Sequence, residues 1–516
     1  MRRRSTQINK TMQSELCNMN EKTIVLGLDG IDYDILTKAL ESRDLPNFER
    51  LRNEGSIGVL ESIDPPITIP AWQAMFSGKN PGKLGIFHPY RLDKEKGEFV
   101  FEDIEKNYGQ MIWDTGIETG IGFLPAFSPP YEINGTFIEG CPPSSENPQV
   151  FPEERKKDLF TEEDIENLEA SPQDKMEEAW LEFEARKNVI HRMLKNYEQE
   201  LFIGVYKPTD TVAHHRESEE DFYDCYQKID EELGYFLDYV DGNDANLIVV
   251  SDHGADHTEK AFFTNSWLER EGYLKLNKEG KKDESNLLLN IANVFINLGL
   301  RKPLEKAHNY IEKFTGKNFK PQKGKVSDQI TWNKSEAASY LIGALPTSGI
   351  IINEDNVKDV NEKQKEIIEK LEQEEDIKWA KNREEIYNGD NIDKLPHIVV
   401  RAKKSIMMKA EIYPDVSIKF DKYGHGYKGL IAGYGRDMSK DEDISGSLLD
   451  VAPTVLQSLG KETANDMDGK VIEEIFQEKQ EIQEGAPIDG ENSRKGKRHE
   501  EEEIKDRLEE LGYMGG

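Results

Sequence analysis

Cysteine is scarce: the 516-residue chain has three, Cys17, Cys141 and Cys225, an odd number with no CxxC spacing. That fits a reducing, cytoplasmic setting better than a disulfide scaffold. Long apolar runs are lacking too. The longest stretches, 287–300 and 340–352, are too short or too interrupted to span a bilayer. The basic N-terminus is followed by no apolar segment of the kind a secretory signal requires. Positive charge is short as well, 67 Lys and Arg against 100 Asp and Glu, a formal net charge of −33. Such a surface disfavours a nucleic-acid duplex or an anionic membrane as partner. A small anionic substrate stays open, because bound cations can invert the field inside a cleft.

What is present alternates. Residues 1–20 are polar and unpatterned and read as a flexible arm. TIVLGLDG (23–30) is a short apolar strand breaking into Asp-Gly, and 34–55 reads as helices ending at Gly55. A strand follows at 56–62, a loop entering a helix at 65–78, and a Glu- and Pro-rich surface excursion at 141–173. A charged amphipathic helix at 174–196 leads into LFIGVY (201–206), and a helix over 218–240 leads into NLIVV (246–250). This alternation predicts an α/β fold with a largely parallel central sheet flanked by helices. The catalytic core would take residues 21–275 and 396–476, around a helical or α+β insert or cap at 276–395. PHIVV (396–400) and LIAGYG (430–435) read as returning core strands, and 477–516 as a charged tail with a short terminal helix.

Ligands of open α/β sheets gather at the carboxyl ends of the strands. Four strand ends here carry metal-ligating side chains. TIVLGLD ends in Asp29; LFIGVYKPTD reaches Asp210, with His214 four residues on; LIVVSDH ends in Asp252 and His253; and KYGHGYKG places His425 before another strand. An i, i+4 Asp–His pair on a helix can reach one ion. Each piece alone has a plain structural reading, a turn for Asp-Gly or a solvated helix contact for Asp210 and His214. Their coincidence on separate strand ends favours metal.

In this order, LGLDG, ITIPAW, DTVAHH, SDHG and the late H-G-x-x-G loop resemble the alkaline phosphatase superfamily, most closely its type I phosphodiesterase/nucleotide pyrophosphatase branch. The resemblance covers roughly 22–275 and 395–475. It implies two neighbouring metal sites, one ion held by Asp29, Thr68, Asp252 and His253, the other by Asp210, His214 and His425. Mixed His and Asp ligands suit zinc, with manganese acceptable. Thr68 would then be the nucleophile, activated by coordination and placed at a helix start whose amides favour phosphate. The bland alternative is that Thr68 only caps that helix. The expected substrate is a small phosphate ester, attacked by Thr68 to give a phosphothreonine that is then hydrolysed.

The chain departs from the branch at Leu84, where His-Gly-Ile is common after Asn-Pro. His88, His215 and His257 read as supporting or surface residues. GHGYKG (424–429) matches a dinucleotide-binding pattern in letters only, since it precedes a strand instead of joining strand to helix. Sulfatases share the fold but use a Cys or Ser in a C/S-x-P-x-R context, absent around Thr68. The remaining alternatives are a phosphomutase of the same superfamily and a non-catalytic binding protein of the same fold.

Overall fold

In the computed structural model the described residues are 22–93, 98–102, 104–140, 148–216, 218–277, 329–340, 343, 345–479 and 481–488. The N-terminal arm, much of the insert and the terminal helix read from the sequence lie outside them. Among the described residues no helix is long and apolar enough to cross a membrane.

The centre is a nine-stranded sheet. Its strands are β1 (Thr23–Leu28), β2 (Ser56–Glu61), β3 (Thr119–Gly122), β4 (Gly135–Ile138), β5 (Val150–Phe151), β6 (Leu201–Tyr206), β7 (Asn246–Val250), β8 (Lys428–Gly435) and β9 (Glu442–Ser447). Across the sheet the order is β9-β2-β8-β7-β1-β6-β3-β4-β5. The run β7-β1-β6-β3-β4 is parallel throughout, and β9 is parallel to β2. β8 is antiparallel to both neighbours, and β5 to β4.

Every side chain of β1 is buried, and the strand's period of two sorts its residues between layers. Ile24, Leu26 and Leu28 join an apolar cluster with α1 (Tyr33–Ser42), α3 (Lys175–Asn196) and α5 (Glu219–Asn243), through Ile35, Val189 and Phe236. Val25 faces the opposite layer, where α2 (Thr68–Ser77) and α6 (Val451–Ser458) bring Trp72, Phe76 and Val455. In β7, Leu247 and Val249 join the first cluster, Ile248 and Val250 the second. Gly27 permits the close approach of α2. A Cβ there would stand 2.7 Å from Cη2 of Trp72 and 2.8 Å from Cγ2 of Val205.

A second, antiparallel sheet has the order Ala337–Ser339, Thr347–Ile352, Ile398–Ala402, Ile377–Asn382, with helix Val360–Leu371 against it. The apolar PHIVV segment, read above as a core strand, pairs here instead; a buried strand carries the same signature in either sheet. The LIAGYG segment is part of β8, in the central sheet. A three-stranded sheet of Ile406–Lys409, Gly254–Phe263 and Ser417–Gly426 lies beside them.

Candidate metal centre

Three parallel strands deliver their ends to one edge of the central sheet. Asp29 directly follows β1. Asp252 and His253 follow β7 with one residue between. After β6 the chain turns into α4 (Pro208–His215), which carries Asp210 in its first turn and His214 one turn on. β8 runs the other way, so its start lies at this same edge, and His425, just before it, arrives from the opposite direction. Thr68 opens α2.

These side chains converge. Asp29, Asp252 and His253 can place one ligand atom each within 4.8 Å of one another, and so can Asp210, His253 and His425. His253 Nε2 lies 3.6 Å from Oδ1 of Asp29, 3.5 Å from Oδ2 of Asp252 and 3.9 Å from Oδ1 of Asp210. His214 Nε2 is 3.3 Å from Oδ1 of Asp210 and 3.0 Å from Nε2 of His425. Thr68 Oγ1 stands 3.4 Å from His253 Nε2. The structure thus gathers all seven expected residues at one place. Of the three histidines read from the sequence as supporting or surface residues, His88 is buried with its Nδ1 accepting the amide of Tyr90, and His257 faces Asp421 at the surface. His215 adjoins His214 with its ring centroid 6.5 Å away.

Gly30 makes the crowding possible. It adopts φ +72°, and a Cβ there would meet Cα of Asp210 at 3.0 Å and Cε1 of His253 at 3.2 Å. Its amide donates to Oδ1 of Asp252 at 3.2 Å. The Asp-Gly of TIVLGLDG is therefore a turn and a candidate ligand position at once.

The tautomers follow from the partners. His253 Nδ1 faces the carbonyl of Gly254 at 3.0 Å, and His425 Nδ1 that of Pro66 at 2.8 Å. A carbonyl only accepts, so each Nδ1 carries a proton and donates it. Burial holds both imidazoles below their ordinary pKa, hence neutral, and each keeps its Nε2 lone pair for the cluster.

The carboxylates give the complementary sign. Burial, then the charge of Asp210, pushes Asp29 up to about 7, with Lys207 opposing, and burial beside Asp29 drives Asp252 well above the carboxylate range. Asp210 goes the other way: burial raises it, but His214, His425 and His253 outweigh that and hold it low. Oδ1 and Oδ2 of Asp29, Oδ1 of Asp210 and Oδ2 of Asp252 are buried with no hydrogen-bond partner. Dry, unpaired carboxylate oxygens beside neutral imidazole lone pairs fit divalent cations. Lys207 escaped the sequence reading. Its signal was a lysine between an apolar strand and a ligand-bearing helix, and it is 4% exposed.

A helix-covered, mostly parallel sheet with this donor set at its strand ends defines a metal-dependent phosphoesterase of the alkaline phosphatase superfamily. More narrowly, the chain belongs to the type I phosphodiesterase/nucleotide pyrophosphatase family, whose model matches residues 23–428, and it is therefore a phosphoric ester hydrolase. Human ectonucleotide pyrophosphatase/phosphodiesterase 5 is 14% identical with a TM-score of 0.54, over 89% of this chain and 100% of that one. Its murine counterpart, in an inactive threonine-to-alanine form in complex with AMP, is 14% identical with a TM-score of 0.50, over 86% and 95%. Phosphonoacetate hydrolase from Sinorhizobium meliloti, in complex with phosphonoacetate, is 13% identical with a TM-score of 0.52, over 86% and 95%. At such identities these likenesses speak for the fold. No curated protein matches the chain by sequence.

Proposed function

We propose that the chain is a phosphodiesterase or nucleotide pyrophosphatase in which Thr68 attacks phosphorus within a site for two divalent cations, zinc before manganese. The observation that carries this reading is the placement of Thr68, buried at the first residue of α2 with Oγ1 3.4 Å from His253 Nε2. Cations held by this donor set would lower the pKa of the hydroxyl and neutralise charge on the phosphate oxygens. His253 approaches the hydroxyl and groups with Asp29 and Asp252, while Asp210, His214 and His425 form the other half of the cluster. Amides at the start of α2 add donors for a phosphate oxygen. Thr68 Oγ1 bonds to phosphorus as the leaving oxygen departs, and water then cleaves the threonyl phosphoester, which still carries the substrate's other ester group. Two resemblances support a small phosphorylated substrate, the murine protein with its AMP and the hydrolase with its phosphonoacetate. The inactive threonine-to-alanine form of the former supports a threonine nucleophile here.

The test is acid quench after brief reaction with bis(4-nitrophenyl) phosphate, followed by peptide mapping. A 4-nitrophenyl phosphoryl group on the peptide containing Thr68, formed with release of one 4-nitrophenolate, is expected. Thr68→Ala should lose turnover by orders of magnitude while still binding substrate, and Thr68→Ser should keep a substantial part. A helix cap alone predicts about 1 kcal/mol of lost stability and near-normal rates. An active Thr68→Ala variant would overturn the mechanism.

A further inference from the structure

A cleft of about 320 Å³ includes His425 and Tyr427 in its lining, so it borders one residue of the candidate ligand cluster. Its volume is in the range of small-molecule sites. The rest of the lining comes from β2, the strand Gly254–Phe263, Leu345 and Pro346, Lys378 of the strand Ile377–Asn382, the segment 401–406 that leaves the second sheet, and Lys428 at the start of β8. Its charge runs against that of the molecule. The lining holds five cationic residues, Lys378, Arg401, Lys403, Lys404 and Lys428, and two acidic ones, Glu61 and Asp256, in a chain of net charge −33.

Two of these cations are already engaged. Arg401 lies 3.6 Å from Glu61 and 3.7 Å from Asp64, with its guanidinium 3.3 Å from the Tyr427 ring centroid. Lys428 pairs with Asp34 at 2.8 Å. Lys378, Lys403 and Lys404 form no ion pair among the described residues, and all three are exposed. Solvated lysines are common on acidic proteins. Three that converge on one concavity beside a phosphoesterase centre call for a partner.

We propose that Lys378, Lys403 and Lys404 form a subsite for a second phosphate group of the substrate, remote from the phosphorus that Thr68 attacks. The proposal rests on the phosphodiesterase reading and narrows it: esters bearing an additional phosphate are preferred over those without one. The lysines are positioning residues. They act through charge, so their contribution falls with ionic strength.

A matched pair of substrates tests this, the 4-nitrophenyl ester of thymidine 5′-phosphate with and without a 3′-phosphate. The wild type should favour the 3′-phosphorylated ester in kcat/KM, and added salt should erode that preference. Lys378→Ala/Lys403→Ala/Lys404→Ala should lose about tenfold in kcat/KM on that ester, through KM, and stay near wild type on the plain one. Equal loss on both esters, or no preference in the wild type, overturns the subsite. Turnover of neither ester by the wild type would sink the phosphodiesterase reading instead. Calorimetry with inorganic tripolyphosphate then decides the subsite alone: about tenfold weaker binding by the triple variant upholds it, and unchanged binding overturns it.

Discussion

Asp64 and Tyr427 meet at 2.5 Å, with the phenol donating to Oδ1 of the carboxylate. Asp64 lies four residues before Thr68, and Tyr427 two residues after His425. Oδ1 also accepts from the hydroxyl of Thr347 at 3.1 Å, and the Asp64 carbonyl accepts from Tyr387 at 2.5 Å. Thr347 belongs to the second sheet. One half-buried carboxylate therefore ties the Thr68 loop, the His425 loop and the second sheet together.

Removing one donor from that junction should cost stability and rate together. Tyr427→Phe leaves the half-buried Asp64 with one hydrogen bond fewer, a loss of about 1–3 kcal/mol. If the brace sets the spacing of Thr68 and His425, kcat should fall while KM changes little, since small misplacements of reacting groups are costly. Urea denaturation and steady-state kinetics measure the two effects. A variant that loses stability with kcat intact would make the junction purely structural.

The candidate ligands were legible because each interrupts a local pattern: Asp29, Asp252 and His253 sit where an apolar strand stops, and Asp210 and His214 share one helix face. The junction was not. Asp64 in DPPITIP reads as an ordinary loop carboxylate, and its partners Thr347, Tyr387 and Tyr427 lie 283, 323 and 363 residues away. Long-range pairing also hid the second sheet, because PHIVV carries no mark of which neighbour it will find. Nor does spacing along a chain give distances between loops, so the reach of His253 towards both triads emerged only in three dimensions.

Stability should carry a pH signature from Asp32. This residue caps α1, with Oδ1 accepting from the amide of Ile35 at 2.9 Å and Oδ2 from that of Ala255 at 3.2 Å. Burial, against the pull of the Ile35 amide, raises its carboxyl from 3.8 to about 7. The folded chain then holds this proton more tightly than the unfolded chain. The contribution is fully present below the unfolded value and is lost as pH rises towards about 7. Asp32→Asn cannot ionise and keeps the cap acceptor. Between pH 5 and pH 8 its unfolding free energy should gain on wild type by at most about 3 kcal/mol. Parallel pH profiles for the two proteins would show Asp32 ionised throughout.

His253 decides how the cluster divides. Its Nε2 is within 4 Å of carboxylate oxygens from both triads, yet with Nδ1 held by the Gly254 carbonyl it has one lone pair to give. One lone pair binds one ion. The shorter approaches, 3.5 Å to Asp252 and 3.6 Å to Asp29 against 3.9 Å to Asp210, would put an ion bound by this lone pair with Asp29, Asp252 and Thr68. His425, stacked on the His253 ring at 3.8 Å, would then serve a second ion with Asp210 and His214. His253→Ala and Asp252→Ala should therefore each retain about one ion per chain after dialysis, and so should His214→Ala, while Asp252→Ala/His214→Ala should retain close to none. All should stay folded, because these side chains lie at strand ends outside the two apolar clusters. Wild type stripped by chelator should lose activity and recover it with zinc or manganese. Loss of both ions from His253→Ala alone, with one kept in Asp252→Ala and His214→Ala, would mean that the two positions share this imidazole's support and that the division drawn here is wrong.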